Sequence, residues 1–249
     1  MERHTAAAAF PLTRWSIVLQ ARQEASPEES HAALEELCRQ YWFPLYAFAR
    51  RRGHAPCDAE DLTQSFFAEL LSTQLFHGAD PAQGRLRTFL LTAFQRCLTD
   101  EYRREHAQKR GGGQQVISID MEAAEERLRA EFAHHDTPEA AFDVRWAVAL
   151  LDSAMALLEQ EYVARENPGA FEALRPFLTA AQTHAEGYEE LAGKLNVTKV
   201  AARQAVHRMR ERFRQLLRRC VTDTLHEPTP AAVDEELTAL KLALARSGM

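Results

Sequence analysis

A basic segment near the C-terminus carries the side chains best suited to recognition chemistry. It reads NVTKVAARQAVHRMRERFRQLLRR, from Asn196 to Arg219. The segment contains nine basic side chains, counting His207, and one acidic side chain, whereas the whole chain has a formal net charge of -6. Positive charge concentrated on one helix-length segment favours binding to a polyanion such as nucleic acid. A solvated basic face that only keeps the helix soluble is the alternative.

The apolar residues of this segment recur at spacings of three and four, which predicts a helix with one buried face. A shorter helix is predicted just before it, in GYEELAGKL. Asn196 lies between the two and tolerates the left-handed backbone angles of a tight turn, and Thr198 can cap the second helix. Two helices joined by such a turn predict a helix-turn-helix. The buried face comprises Ala202, Val206, Met209, Phe213, Leu216 and Cys220.

The chemistry expected of this helix is the reading of duplex DNA. An α-helix fits the major groove, where side chains near its N-terminus reach base edges and later cations neutralise phosphates. We therefore expect Lys199, Arg203, Gln204 and His207 to face bases, and Arg208, Arg210 and Arg214 to face phosphates. The predicted DNA-binding set is Thr198, Lys199, Arg203, Gln204, His207, Arg208 and Arg210.

The elements that position these residues are predicted to be helical throughout. Alanine, leucine, glutamate and arginine dominate the composition, while valine, isoleucine and threonine are scarce, which favours helices over sheet. The predicted fold is all-α, with two helical domains joined by an acidic flexible linker. The second domain ends in the helix-turn-helix, and a short C-terminal helix follows. The predicted boundaries are 12–110, 111–138 for the linker, 139–226, and 227–249 for the amphipathic C-terminal extension.

Local signals predict where helices begin and end in the first domain. Ser26 and Pro27 predict a helix start, and Pro44 predicts an interruption of that helix. Asp58 is expected to cap the next helix, in a capping box with Asp61. A third block has an apolar row with a spacing of four, formed by Leu86, Leu90, Phe94 and Leu98.

Neither catalysis nor cofactor binding is indicated by any motif. The four cysteines are scattered without a Cys-x-x-Cys pair, so we expect no metal site. The chain has no P-loop, no Gly-x-Gly-x-x-Gly and no nucleophile constellation, so we expect no cofactor, no catalytic residues and no enzyme activity. Without a signal peptide or a membrane-length apolar run, the sequence predicts a cytoplasmic protein that does not bind membranes.

Two separated stretches together resemble one known family. DAEDLTQSFFAELL followed by LRTFLLTAFQRCLTDEYRREHAQKRGGG, and then ELAGKLNVTKVAARQAVHRMRERFRQLLR, are similar to the two conserved domains of bacterial RNA polymerase sigma factors. The closest resemblance is to the extracytoplasmic-function (ECF) type, which retains only those domains. LTRWSIVLQA near the N-terminus and VDEEL in the tail resemble motifs of one group within that type. The resemblance covers nearly the whole chain.

The resemblance implies roles for residues in both domains. The DAEDLTQ helix would contact core RNA polymerase through Asp61, Gln64 and Glu69. The following basic helix would read and open the minus-ten promoter element, and the loop between Phe76 and Arg85 resembles a pocket for an extruded base. The last helix would read the minus-thirty-five element. The implied minus-ten residues are Arg85, Arg96, Asp100, Arg103 and Arg104.

The implied partners are core RNA polymerase, double-stranded promoter DNA, the locally melted non-template strand and an anti-sigma factor. Bound to polymerase, the protein would be associated with the nucleoid. Two other readings stay open: a stand-alone helix-turn-helix transcription regulator, and a sigma-mimicking decoy that sequesters an anti-sigma factor. The regulator has no need of DAEDLTQSFFAELL, and the decoy has no need of a basic DNA-reading face. For the tail helix, the sequence allows packing on the second domain, binding of a regulator, or covering of the basic helix.

Overall fold

A computed structural model describes residues 27–71, 85–107, 137–178, 185–226 and 228–246. These residues contain helices and no strand, which confirms the all-α prediction for the described part of the chain. Residues 111–136 of the predicted linker and the loop 76–84 lie outside the described residues, whereas Thr137 and Pro138 at the end of that linker are described. The α-helices are α1 (Pro27–Arg51), α2 (Pro56–Leu71), α3 (Leu86–Ala107), α4 (Pro138–Ala164), α5 (Pro168–Leu174), α6 (Ala185–Leu195), α7 (Lys199–Thr222) and α8 (Pro230–Arg246), with a 3₁₀ helix (Arg175–Leu178) after α5.

The chain divides into two compact units. One comprises Met1–Ala147 with Thr222–Met249, and the other comprises Val148–Val221. Among the described residues, the first unit therefore holds α1, α2, α3, the beginning of α4, and α8. The second unit holds the rest of α4, then α5, α6 and nearly all of α7.

The first unit is built around an aromatic core. Phe66 of α2 and Phe48 of α1 each meet Phe94 of α3 edge to face, at centroid distances of 5.2 and 6.2 Å. The predicted apolar row of α3 is buried along its whole length, which confirms it as the core-facing side. This leaves the other faces of α2 and α3 available for polar side chains.

The prediction that Pro44 interrupts the first helix is wrong, because α1 runs through it. A proline inside a helix removes one backbone hydrogen bond and crowds the preceding turn. Here the neighbouring side chains of Trp42, Leu45 and Tyr46 are all buried, and Trp42 stacks on Tyr46 at 5.1 Å. Packing of this apolar surface offsets the cost of the proline. The helix ends at Arg51, two residues before Gly53, whose φ of 95° is in the left-handed region.

The capping box predicted at Asp58 is also wrong in detail. Helix α2 begins two residues earlier, at Pro56, so Asp58 lies in its first turn and not at its cap. Proline fits the first helical position because the missing N–H has no intrahelical acceptor there. The carboxylate of Asp58 still interacts favourably with the N-terminal end of the helix dipole.

Helix α8 shows the predicted amphipathic pattern and packs within the first unit. Thr229 caps it by accepting a hydrogen bond from the Ala232 N–H at 3.2 Å. Val233 and Leu240 are buried, as expected from the apolar spacing. The periodicity did not identify Glu236, which is only 1% exposed and pairs with arginines at the start of α3. These ion pairs join α8 to the start of α3 within the first unit.

Candidate nucleic-acid interface

Helices α6 and α7 are joined by a three-residue turn. Asn196 has a φ of 51°, the left-handed conformation that the sequence predicted for it. The Val197 N–H donates to the Ala192 carbonyl at 3.0 Å, which closes the end of α6. Thr198 caps α7, as predicted, by accepting a hydrogen bond from the Ala201 N–H at 3.2 Å. The turn therefore fixes the position at which the basic helix begins.

The apolar stripe of α7 anchors that helix in the second unit. Ala202, Val206, Met209 and Leu216 are buried, and Phe213 is half-buried. Because these residues recur at helical spacing, the opposite face of α7 is directed to solvent.

Four of the predicted DNA-binding side chains lie together on this exposed face. Arg203, Gln204, His207 and Arg208 are all exposed; Arg203 and His207 are four residues apart, as are Gln204 and Arg208, and Gln204 and His207 are three apart. Such spacings place side chains on neighbouring turns of one helix face. The face therefore presents two guanidinium groups, an amide and an imidazole, all of which can hydrogen-bond to base edges or phosphates.

Two residues of α6 orient the N-terminal half of this basic face. The Arg203 guanidinium lies over the Tyr188 ring, 5.4 Å from its centroid. Lys199 forms an ion pair with Glu189, and this hydrogen bond lowers the pKa of the Glu189 carboxyl. Lys199, predicted to meet a base, is thus held by an exposed carboxylate.

Further along α7, the arginines contact other residues of the protein, both within α7 and on other elements. Arg210 donates from Nε and Nη2 to the Phe177 carbonyl oxygen, at 2.8 and 2.6 Å. Arg212 forms a two-pronged ion pair with Glu161 of α4, and its hydrogen bonds lower the pKa of that carboxyl. Arg214 pairs with Glu211 one turn before it, at 2.8 Å. Sequence reasoning missed the contacts of Arg210 and Arg212 because their partners are 33 and 51 residues away.

The polar face of α2 carries the residues assigned to polymerase contact. Asp61 is exposed. Gln64 is half-buried and donates to Glu60 at 3.1 Å, and the exposed Glu69 accepts a hydrogen bond from the Cys97 thiol at 3.2 Å. The structure therefore brings Asp61 and Gln64 together on one side of α2, with Glu69 nearer to α3.

The residues assigned to the minus-ten region lie in two places, one along α3 and one immediately before it. Arg96 and Asp100 are exposed and four residues apart, in the middle of the helix. Arg103 and Arg104 follow in the same helix, and their side chains lie outside the described part. Arg85 stands apart, immediately before the first turn, where it pairs with Glu235 and Glu236 of α8.

No metal centre is found among the residues that the structure describes, since no three His, Cys, Asp or Glu side chains cluster suitably there. All four cysteines lie within the described residues and none forms a disulfide, and burial raises the pKa of the Cys38 thiol to about 12. Along the described ranges, every helix is either too short or too polar to span a bilayer.

Comparison with known protein families identifies one that matches this chain. The family model described as ECF sigma factor matches residues 31–222, which is most of the chain and includes α2, α3, α6 and α7. No curated protein and no solved structure matches the chain. The match begins before the predicted polymerase-binding helix and ends at the last residue of the basic helix. The chain therefore belongs to the ECF sigma factor family.

Proposed function

We propose that this sigma factor binds core RNA polymerase, directs it to promoters and opens the DNA at the start site. The observation that carries the proposal is the exposed face of α7, where Arg203, Gln204, His207 and Arg208 lie together beyond a capped turn. The exposed side chains of such a face would allow a sigma factor to distinguish one DNA sequence from another. Its proposed site of action is the cytoplasm, where core polymerase and promoter DNA are found.

The proposed reader of the minus-thirty-five element is a helix-turn-helix formed by α6 and α7. Arg203, Gln204 and His207 would meet base edges, because they lie in the N-terminal half of the helix. Arg203 is the first candidate for a two-pronged contact to guanine, since Tyr188 restricts the orientation of its guanidinium. Loss of one such contact costs about 1–3 kcal/mol of discrimination between bases.

The cations around this centre have proposed supporting roles. Arg208 is exposed and would neutralise a phosphate, as would Lys199 after exchange of its Glu189 partner for DNA. Arg210 was also predicted to meet a phosphate, but its bonds to the Phe177 carbonyl support a role in holding α7 in place.

The proposed minus-ten reader is α3. Arg96 and Asp100 are exposed on one face of that helix, and Arg103 and Arg104 continue along it. Cationic side chains would hold the backbone of the melted non-template strand while one of its bases leaves the stack. Arg85 would join them only when released from Glu235 and Glu236.

The proposed polymerase contact is the polar face of α2, with Asp61 at its centre. Asp61 is exposed, so replacing it alters a surface without disturbing the core. Asp61→Arg reverses the charge and should abolish the stoichiometric complex with purified core polymerase in gel filtration. Glu172→Arg is the matched control, because Glu172 is an exposed acid on α5.

Equal co-elution of Asp61→Arg and the control would contradict the proposed contact on α2. If the native chain forms no complex but binds duplex DNA tightly by itself, the protein is a stand-alone regulator. If the native chain binds neither, it is a decoy, and a regulator that normally holds sigma factors becomes the expected partner.

A further inference from the structure

A buried carboxylate joins the C-terminal helix to the beginning of α3. Glu236 is 1% exposed, and its two oxygens lie 2.6 Å from Arg85 Nε and 3.2 Å from Arg87 Nε. A carboxylate removed from water is unfavourable unless cations and hydrogen bonds replace its hydration. Arg87 donates a hydrogen bond to Oε2, and Arg85 places its positive charge beside Oε1, which accepts no hydrogen bond. Docking of α8 therefore depends on these two cations as well as on its apolar stripe.

Arg87 is the inner of the two arginines and is held on several sides. Its side chain is 14% exposed, and its guanidinium lies over the Trp146 ring, 4.6 Å from the centroid. It also donates to Asp143, which Arg246 near the end of α8 approaches at 3.9 Å. Arg87 is therefore fixed in place by α4 even without Glu236.

Arg85 is the outer arginine, and its contacts are of a different kind. Its side chain is 35% exposed and also reaches Glu235 at 3.0 Å, whose own side chain is 68% exposed. An exposed ion pair of this kind contributes little stability, because water and salt screen it. The charge of Arg85 is thus available to a competing anion once Glu236 leaves.

Guanidinium groups bind carboxylates and phosphates with the same two-pronged geometry. Here, two of them face one direction at the start of a helix whose middle carries the exposed Arg96. Of the cations of α8, Arg246 shares the carboxylate of Asp143 with Arg87, at 3.9 Å from Asp143 Oδ2. The pair forms a small anion site, and in this structure α8 occupies it with carboxylates.

We infer that Arg85 and Arg87 form a phosphate-binding site with two alternative occupants: Glu235 and Glu236 of α8 in the free chain, and the DNA backbone in the initiation complex. Helix α8 is then an internal competitor for promoter DNA. This inference rests on the proposed role of α3 as a DNA-binding helix. It adds Arg87 to that surface and gives the C-terminal extension a function.

The test compares the binding of a labelled single-stranded oligonucleotide by four full-length free chains. Glu236→Gln removes the buried charge, Glu235→Gln is the matched change at the exposed rim, and Arg85→Ala is combined with Glu236→Gln. We expect Glu236→Gln to raise the affinity about fivefold or more, the range of a typical coupling between two ligands. Glu235→Gln should raise the affinity less. The double variant should lose the increase in affinity that Glu236→Gln produces.

A chain ending at His226 provides a second measurement, because it lacks α8 altogether. It should keep the helical circular dichroism of the first unit and bind the oligonucleotide at least as tightly as Glu236→Gln. Inorganic phosphate, added at the concentration of the oligonucleotide's own phosphates, should displace little of the bound oligonucleotide if the site recognises a strand and not a free anion. Displacement at that concentration would overturn the assignment to DNA.

Two results would overturn the inference as a whole. One is an unchanged affinity in both Glu236→Gln and the truncated chain. The other is loss of the folded first unit in the truncated chain, which would make α8 a permanent structural helix. Failure of the proposed sigma function is distinguishable, since co-elution with core polymerase is measured separately on the native chain.

Discussion

The arginines of α7 are alike in sequence and differ in what they contact. Arg208 is exposed, whereas Arg210, two residues later, donates two hydrogen bonds to the Phe177 carbonyl. A basic segment therefore cannot be treated as one uniform DNA-binding charge. The structure divides it into side chains that face solvent and side chains that hold the helix.

Because of this division, we expect Arg210→Ala to affect stability and Arg208→Ala to affect DNA binding. Arg210→Ala should lower the free energy of unfolding by about 1–3 kcal/mol, because it leaves the Phe177 carbonyl without its charged donor. Arg208→Ala should leave stability unchanged and reduce the salt dependence of DNA binding by about 0.9 in slope, the value for one phosphate. Urea denaturation and salt titration of promoter binding measure the two effects. Equal destabilisation by both changes would contradict the division.

Among the elements, the turn between α6 and α7 sets the direction of α7, the proposed DNA-reading helix. The turn depends on Asn196, whose φ of 51° is unfavourable for most side chains. Thr198 then provides the cap that starts α7. The turn at Asn196 and the cap at Thr198 therefore position the exposed basic face together with the buried stripe of α7.

Substitutions at Asn196 should follow backbone cost. Asn196→Gly should be neutral or slightly stabilising, because glycine adopts positive φ freely. Asn196→Val should lower the free energy of unfolding by about 1–2 kcal/mol, the cost of a left-handed conformation. Thermal unfolding of the two variants gives the comparison. Matching melting temperatures would show that the turn is not held in this conformation.

Sequence periodicity was sufficient for the elements that depend on local pattern. It gave the buried row from Leu86 to Leu98, the cap at Thr198 and the turn at Asn196, because each depends on residues within one or two helical turns. It missed the buried Glu236 because a carboxylate on an apolar stripe gains its partners from α3, about 150 residues away. It also read Pro44 as a break, since the aromatic packing that maintains α1 is a property of the folded unit.

At the scale of the whole molecule, the chain combines a net charge of -6 with a strongly basic α7. A protein of this overall charge gains little from non-specific attraction to DNA. In the proposed function, specific binding would then depend on the exposed cations of α7 and α3, and on polymerase bringing them to the promoter. The internal competition proposed for α8 would lower the affinity of the free chain still further.

Mapping of transcript 5′ ends would show whether this chain directs polymerase to promoters. Purified core polymerase would transcribe fragmented genomic DNA of the source organism with and without the chain. We expect new, discrete 5′ ends that share two upstream sequence elements and disappear with the double variant Arg203→Ala, Gln204→Ala. The same 5′ ends with core polymerase alone would show that the chain does not select them.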